Sequence, residues 1–220
     1  MSGRTIVIGD IHGCFDELGE LLERVGLGAG ERVVAVGDLV VKGPKSAQVL
    51  ELFMEDARFS SVLGNHDRAL LRYWRGEDVR LTQQQEQTRD ELRSHHERYA
   101  AYLERLPLMI DLGSHSVVHA GVRPGVRLSE QTLEDLTELR TLGKDRTSRE
   151  GTPWYEVYTG EKTVLFGHWP AREPRRSAHA IGLDTGCVYG HRLTACVIET
   201  GELLSVAARR TYVQPKQPLP

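Results

Sequence analysis

Residues 5–13 read Thr-Ile-Val-Ile-Gly-Asp-Ile-His-Gly. The β-branched run Thr5–Gly9 has the length and composition of a buried strand, and it delivers Asp10 and His12 directly after its end. A helical phase follows over Phe15–Val25, with Leu18, Leu21, Leu22 and Val25 on one face. Gly26, Gly28 and Gly30 break it before a second apolar run, Val33–Val36. The order then repeats: Ser46–Met54 carries Ala47, Val49, Leu50 and Phe53 at helical spacing, and Ser61–Leu63 offers a third strand. Strand, helix, strand, helix, strand predicts two β-α-β units, hence parallel strands joined by crossover helices in an α/β fold.

Each predicted strand ends in a glycine followed by a residue able to bind a metal. Gly9 precedes Asp10, Gly37 precedes Asp38, and Gly64 precedes Asn65 and His66. Two later positions share that context, His119 after Val117-Val118 and His168 after Phe166-Gly167. The carboxyl ends of parallel strands share one rim, where ligands bind, so side chains far apart in sequence are expected to meet there. Taken singly, Asp10 or Asp38 reads equally well as a helix N-cap, and His119 or His168 as a hydrogen-bonded core histidine. The ordered set weighs against that bland reading.

Two Asp, three His and one Asn offer mixed oxygen and nitrogen donors, which suit manganese, iron, zinc or magnesium rather than copper or an iron–sulfur cluster. One carboxylate, Asp38 at the middle of the set, is placed to bridge two cations. A pair ~3.5 to 4 Å apart binds phosphoryl oxygens and activates a water for in-line displacement. The chemistry expected is phosphoester or phosphoanhydride hydrolysis.

In their order these motifs resemble the calcineurin-like metallophosphoesterases, in the branch holding the Ser/Thr phosphoprotein phosphatases and the symmetrical diadenosine tetraphosphatases. The signature GDxHG, GDxxDRG, GNHE or GNHD, then separate histidines, stands here as Gly9–Gly13, Gly37–Gly43, Gly64–Asp67, His119-Ala120-Gly121 and Gly167-His168. A DTG segment follows at Asp184-Thr185-Gly186, so the resemblance runs from about Thr5 to Glu199. It implies a four-layer sandwich of two mixed β-sheets flanked by helices. It also implies two divalent ions, manganese first, with iron, zinc, magnesium, cobalt or nickel as alternatives. Asp10, His12 and Asp38 would hold one ion, and Asp38, Asn65, His119 and His168 the other. His66 would protonate the leaving oxygen, and Asn65 would also face substrate phosphate.

The second motif departs from the family: Val41-Lys42 replaces its Asp-Arg pair. His66 then lacks its usual orienting carboxylate, and Asp67 is too close in sequence to be assumed in that role. Lys42 exchanges a planar bidentate clamp for a point charge on phosphate. Lys42-Gly43-Pro44 resembles the ApaH-like phosphatases. That shifts the expected substrate toward nucleotide phosphoanhydrides, dinucleoside polyphosphates or capped RNA, with a phosphoprotein as the alternative. Arg140 is the phosphate-binding arginine expected by position, with Arg146 and Arg149 left open.

The rest of the chain bounds these expectations. At 220 residues, 40% hydrophobic and 27% charged, with formal net charge −3, it suits one soluble domain and not a basic nucleic-acid glove. Cys14, Cys187 and Cys196 are too few and too widely spaced for a disulfide framework. No apolar run approaches the ~20 residues of a membrane span, so a cytoplasmic enzyme without a membrane partner is expected. One domain is expected over 1–213, with a polar helical insert at about 82–106 over the sheet edge. That insert opens with Thr82 and Gln85 at capping-box spacing. Val117–His119, Thr163–Gly167, Ala180–Asp184 and Leu193–Ile198 are expected to form a second sheet, and 214–220, with three prolines, a flexible tail.

Overall fold

A computed structural model describes residues 3–220. The chain begins with β1 (Thr5–Ile8), α1 (Phe15–Val25), β2 (Arg32–Ala35), α2 (Ser46–Glu55), β3 (Phe59–Ser61) and α3 (Asn65–Trp74). These are the two expected β-α-β units, with β3 starting two residues earlier than Ser61. The strands run parallel, Val7 beside Val34 and Val34 beside Ser60. Alternation along them divides the core. Ile6, Ile8, Val33 and Ala35 face α1, α2 and α3, whereas Val7 and Val34 point the other way.

The expected insert is α4 (Gln83–Glu91) and α5 (His96–Leu103), joined by a 3₁₀ turn at Arg93–His95. Thr82 and Gln85 close the capping box: the Gln85 amide N–H donates to Thr82 Oγ1, and the Thr82 N–H donates to Gln85 Oε1. Leu92, Tyr99 and Leu103 are buried in the helix-side core. The pair covers α2 and α3 rather than the sheet edge, because its apolar face continues theirs.

The second half gives β4 (Met109–Asp111), β5 (His115–Val118), α6 (Leu133–Glu138), β6 (Thr141–Leu142), β7 (Thr152–Pro153), α7 (Trp154–Val157), β8 (Thr163–Phe166), β9 (Arg175–Arg176), β10 (Ala180–Gly182), β11 (Arg192–Val197) and β12 (Glu202–Ala207). One mixed sheet has the order β12-β11-β1-β2-β3 and the other β4-β5-β8-β10-β9. Three parallel strands sit inside each. The Leu193–Ile198 strand therefore joins the first sheet and not the second, with Ile6 opposite Val197. The sheets meet through Val7, Val34, Val36, Val117, Leu165 and Leu183. Trp154, Tyr155, Tyr158 and Phe166 fill the far side of the second sheet. Helices, sheet, sheet and helical cover make the four layers that place both sets of strand ends on one rim.

The tail is laid against the body rather than left loose. Leu219 is 5% exposed, and the Arg172 N–H donates to the Pro220 carbonyl. Leu219 is the apolar anchor that composition dominated by proline and polar residues conceals. Among the described residues no helix is long and apolar enough to cross a membrane.

Candidate metal centre

Asp10 follows β1, Asp38 follows β2, Asn65 opens α3 just beyond β3, His119 follows β5 and His168 follows β8. All five, with His12, come together between the ends of the two sheets. Asn65 Oδ1 lies 2.9 Å from His119 Nε2 and 3.0 Å from His168 Nδ1. Asp38 looks both ways: Oδ1 is 3.6 Å from His119 Nε2, and Oδ2 is 3.5 Å from His12 Nε2. Asp10 Oδ2 is 3.9 Å from His12 Nε2. Asp10, His12, Asp38, His119 and His168 are buried.

The hydrogen bonds around the imidazoles fix what their free nitrogens present. His119 Nδ1–H donates to the Val36 carbonyl at 2.9 Å, and His12 Nδ1–H donates to the Val40 carbonyl at 3.1 Å. A neutral imidazole carries one proton, so each Nε2 is left with its lone pair. Burial pushes the His119 pKa down to about 4 and that of His12 down too, Lys42 adding to the latter, so the neutral forms hold. The His119 lone pair then faces the amide oxygen of Asn65 and a carboxylate, acceptor against acceptor. A cation between them resolves that opposition, and a backbone carbonyl on the opposite nitrogen is the usual support of a ligating histidine. His168 Nε2 is buried without a partner.

The carboxylates carry the same signature. Burial, with Asp184 and Asp38 nearby, holds the Asp10 pKa well above the ordinary carboxylate range. Burial also raises Asp38 and Asp184 each to about 6. Several negative charges enclosed together need positive charge at the centre, and a divalent ion fits this donor set. The chain's own contribution is Lys42, whose Nζ is 2.8 Å from His12 Nε2 and 5.3 Å from the Tyr189 ring centre.

Local backbone conformation shows what this convergence demands. His12, Asp38, Val41, Lys42 and His168 all have φ between 48° and 76°. For a β-branched residue such as Val41 this left-handed region is strongly disfavoured. The glycines before these candidate ligands serve close approach. A Cβ on Gly167 would overlap Asp10 Oδ1, and one on Gly64 would overlap the amide and carboxylate of Asp38. The repeated glycine-then-ligand pattern is thus a packing requirement between strand ends.

A cleft of about 510 Å³ opens on this cluster, and Lys42, His66, Arg140, Arg149 and Lys216 are among its lining residues. Arg140 Nη1 donates to the Thr147 carbonyl, while its Nε is buried without a partner. Of the alternatives, Arg149 lines the cleft, whereas Arg146 is paired with Asp135 at 3.1 Å. Asp67 does not reach the His66 ring to orient it. Its carboxylate accepts from the backbone N–H groups of Leu39, Val40 and Gly64 and so ties the second motif to the third. Three contributors escape sequence reading: Asp184, quoted within its motif but given no role; Gln85, seen only as a cap; and Lys216, assigned to a loose tail. Only Asp184 carries a motif that could have flagged it.

The comparisons agree with this geometry. Residues 3–197 match the calcineurin-like phosphoesterase family. The chain is 32% identical over 240 residues to the asymmetrical bis(5'-nucleosyl)-tetraphosphatase PrpE of Oceanobacillus iheyensis, covering 96% of this chain and 94% of that protein. Its Bacillus subtilis counterpart is 30% identical, with 94% and 95% covered. A crystal structure provisionally described as a diadenosine tetraphosphatase superposes with TM-score 0.82 at 35% identity, over 94% of this chain and 95% of that one. A yeast serine/threonine phosphatase, at 16% identity and TM-score 0.56 over 98% and 82%, shares the fold alone. A family match across most of the chain, and relatives aligned nearly end to end, establish that the chain belongs to the calcineurin-like phosphoesterases.

Proposed function

We propose that this chain hydrolyses the phosphoanhydride bonds of dinucleoside polyphosphates at a centre of two divalent ions, manganese being the first to test. One observation carries the reading: imidazole lone pairs, an amide oxygen and carboxylates of the glycine-led motifs face one another at the floor of a cleft rimmed with cationic side chains. Asp10, His12 and Asp38 would hold one ion; Asp38, Asn65, His119 and His168 would hold the other. The two oxygens of Asp38, each turned to a different histidine, suit a bridging carboxylate. When bound, the ions supply charge for the phosphoryl oxygens and lower the pKa of a water.

The chain's own groups do the rest. Lys42 and Arg140 neutralise and position phosphates, with Arg149 and Lys216 available to a longer polyphosphate. His66 offers its ring Nε2–H to the departing oxygen. A second depression of about 450 Å³, lined by Tyr212, adjoins the first and shares Lys42 and Gln84 with it. A polyphosphate crossing Lys42 would put one nucleoside beside Tyr189 and the other beside Tyr212. The names of the PrpE relatives favour an outer cut, releasing a nucleoside monophosphate and a triphosphate. Three cysteines buried and unpaired suit a reducing cytoplasm. One domain with the α4–α5 insert and a docked tail is the organisation this reading uses.

The test is product identification with purified, manganese-loaded protein. Diadenosine tetraphosphate should give AMP and ATP; two ADP would move the cut to the centre. Capped RNA presents the same bond class as a parallel substrate. Rapid dephosphorylation of a phosphoserine peptide without nucleotide turnover would overturn the proposal.

A further inference from the structure

The family's partner for the catalytic histidine is missing here, and the structure offers another in its place. Val41 cannot hydrogen-bond His66, and Asp67 is committed to three backbone N–H groups. The His66 ring nitrogen Nδ1 is met instead by Gln85 Nε2 at 3.4 Å. Gln85 is 6% exposed, and its amide cannot turn over freely, because Oε1 accepts the Thr82 N–H at 2.8 Å. Its NH₂ therefore points at His66, and Nδ1 must be the acceptor.

We infer that Gln85 is the positioning residue of His66, and that by donating to Nδ1 it restricts the enzyme to substrates whose leaving group departs as a stable anion. This deepens the reading of His66 as the leaving-group donor and rests on it. A carboxylate at this place would accept a hydrogen bond from Nδ1–H. The Gln85 NH₂ donates to Nδ1 instead, which leaves the ring's one N–H on Nε2, where it is presented to the leaving oxygen as a hydrogen-bond donor. In hydrolysis the water oxygen bonds to phosphorus, the P–O bond to the leaving group breaks, and its electron pair stays on the departing oxygen. From a phosphoanhydride that oxygen belongs to a nucleotide phosphate, stable as an anion, and the water's proton passes to solvent. From a serine phosphate it is an alkoxide, which must take up a proton as it leaves. Hydrogen bonding suffices for the first and not for the second.

Gln85→Glu separates positioning from capping. Glutamate at this place keeps the capping box, accepting the Thr82 N–H as glutamine does, while it replaces the donor at Nδ1 with an acceptor. The readout is kcat for manganese-loaded protein on diadenosine tetraphosphate, on aryl phosphates of graded leaving-group acidity and on a phosphoserine peptide. Wild type should slow steeply as the leaving group worsens. Gln85→Glu should flatten that dependence, raising the phosphoserine rate relative to the dinucleotide rate about tenfold or more, within the range of general-acid catalysis. Gln85→Met should lower kcat with KM little changed. A folded Gln85→Glu protein with the wild-type dependence, or one slowed equally on every substrate, overturns the proposal and leaves Gln85 as a cap. His66→Asn keeps the two failures apart: if it has wild-type rates on diadenosine tetraphosphate, the role of His66 falls. If it is impaired while Gln85→Glu is silent, only the role of Gln85 does.

Discussion

Asp38→Asn should destroy activity and yet stabilise the metal-free protein. Burial raises the Asp38 pKa from 3.8 to about 6, so its ionised form is disfavoured in the fold. Each pKa unit is 1.36 kcal/mol, which makes the penalty for carrying that charge about 3 kcal/mol above pH 6. The sign follows from the upward shift. Below pH 3.8 the group is protonated in both states and contributes nothing; between 3.8 and 6 stability falls, and it stays lowered beyond. Asparagine removes the charge while its Oδ1 can still accept the His66 N–H, now 2.9 Å from Asp38 Oδ1. Its NH₂ meets imperfect partners, so the net gain is about 1–3 kcal/mol, or a Tm several degrees higher in a chain of this size. Thermal melts of chelated wild type and variant at pH 5 and pH 8 read this directly: the variant's advantage at pH 5 should be about half of that at pH 8. Manganese should then raise the wild-type Tm and leave the variant nearly unmoved. A chelated variant less stable than chelated wild type at pH 8 would refute the account of enclosed repulsion.

Three further outcomes follow from particular contacts. Gly167→Ala drives a Cβ into Asp10 Oδ1 and against Val36, so metal titration should show affinity lost together with about 1–3 kcal/mol of stability. Arg140→Ala should lower kcat/KM for dinucleotide about 10²-fold by removing the proposed phosphate contact, whereas Arg146→Ala, paired with Asp135, should change it little. Trp154→Ala should cost about 3–5 kcal/mol in denaturant melts, because this side chain is fully buried against Tyr158 and Phe166 and donates Nε1–H to the Ala120 carbonyl.

The parts legible in the sequence are those written in local order. The β1-α1-β2-α2-β3 alternation and the convergence of the glycine-led side chains follow from periodicity of two and of 3.6, plus the rule that strand ends share a rim. Thr82 with Gln85 is equally local, and the capping box forms as spaced. What the sequence hides is partnership across distance. Nothing in Leu193–Ile198 says that it pairs with β1 rather than with β10, since a strand's own residues do not name its neighbour. The tail shows three prolines and gives no sign that Leu219 is its anchor. The same limit applies within the centre. Val41 announces that His66 lacks its family partner, but the replacement comes from Gln85, on a helix whose turn geometry alone decides where its amide points. Strain at Val41 and Lys42 is likewise invisible until the backbone is seen.

Anomalous diffraction from crystals grown with manganese tests the central claim most directly. Two peaks about 3.5 to 4 Å apart are expected, both within bonding distance of Asp38, one beside Asp10 and His12 and the other beside Asn65, His119 and His168. A single peak, or peaks away from these six side chains, would contradict it.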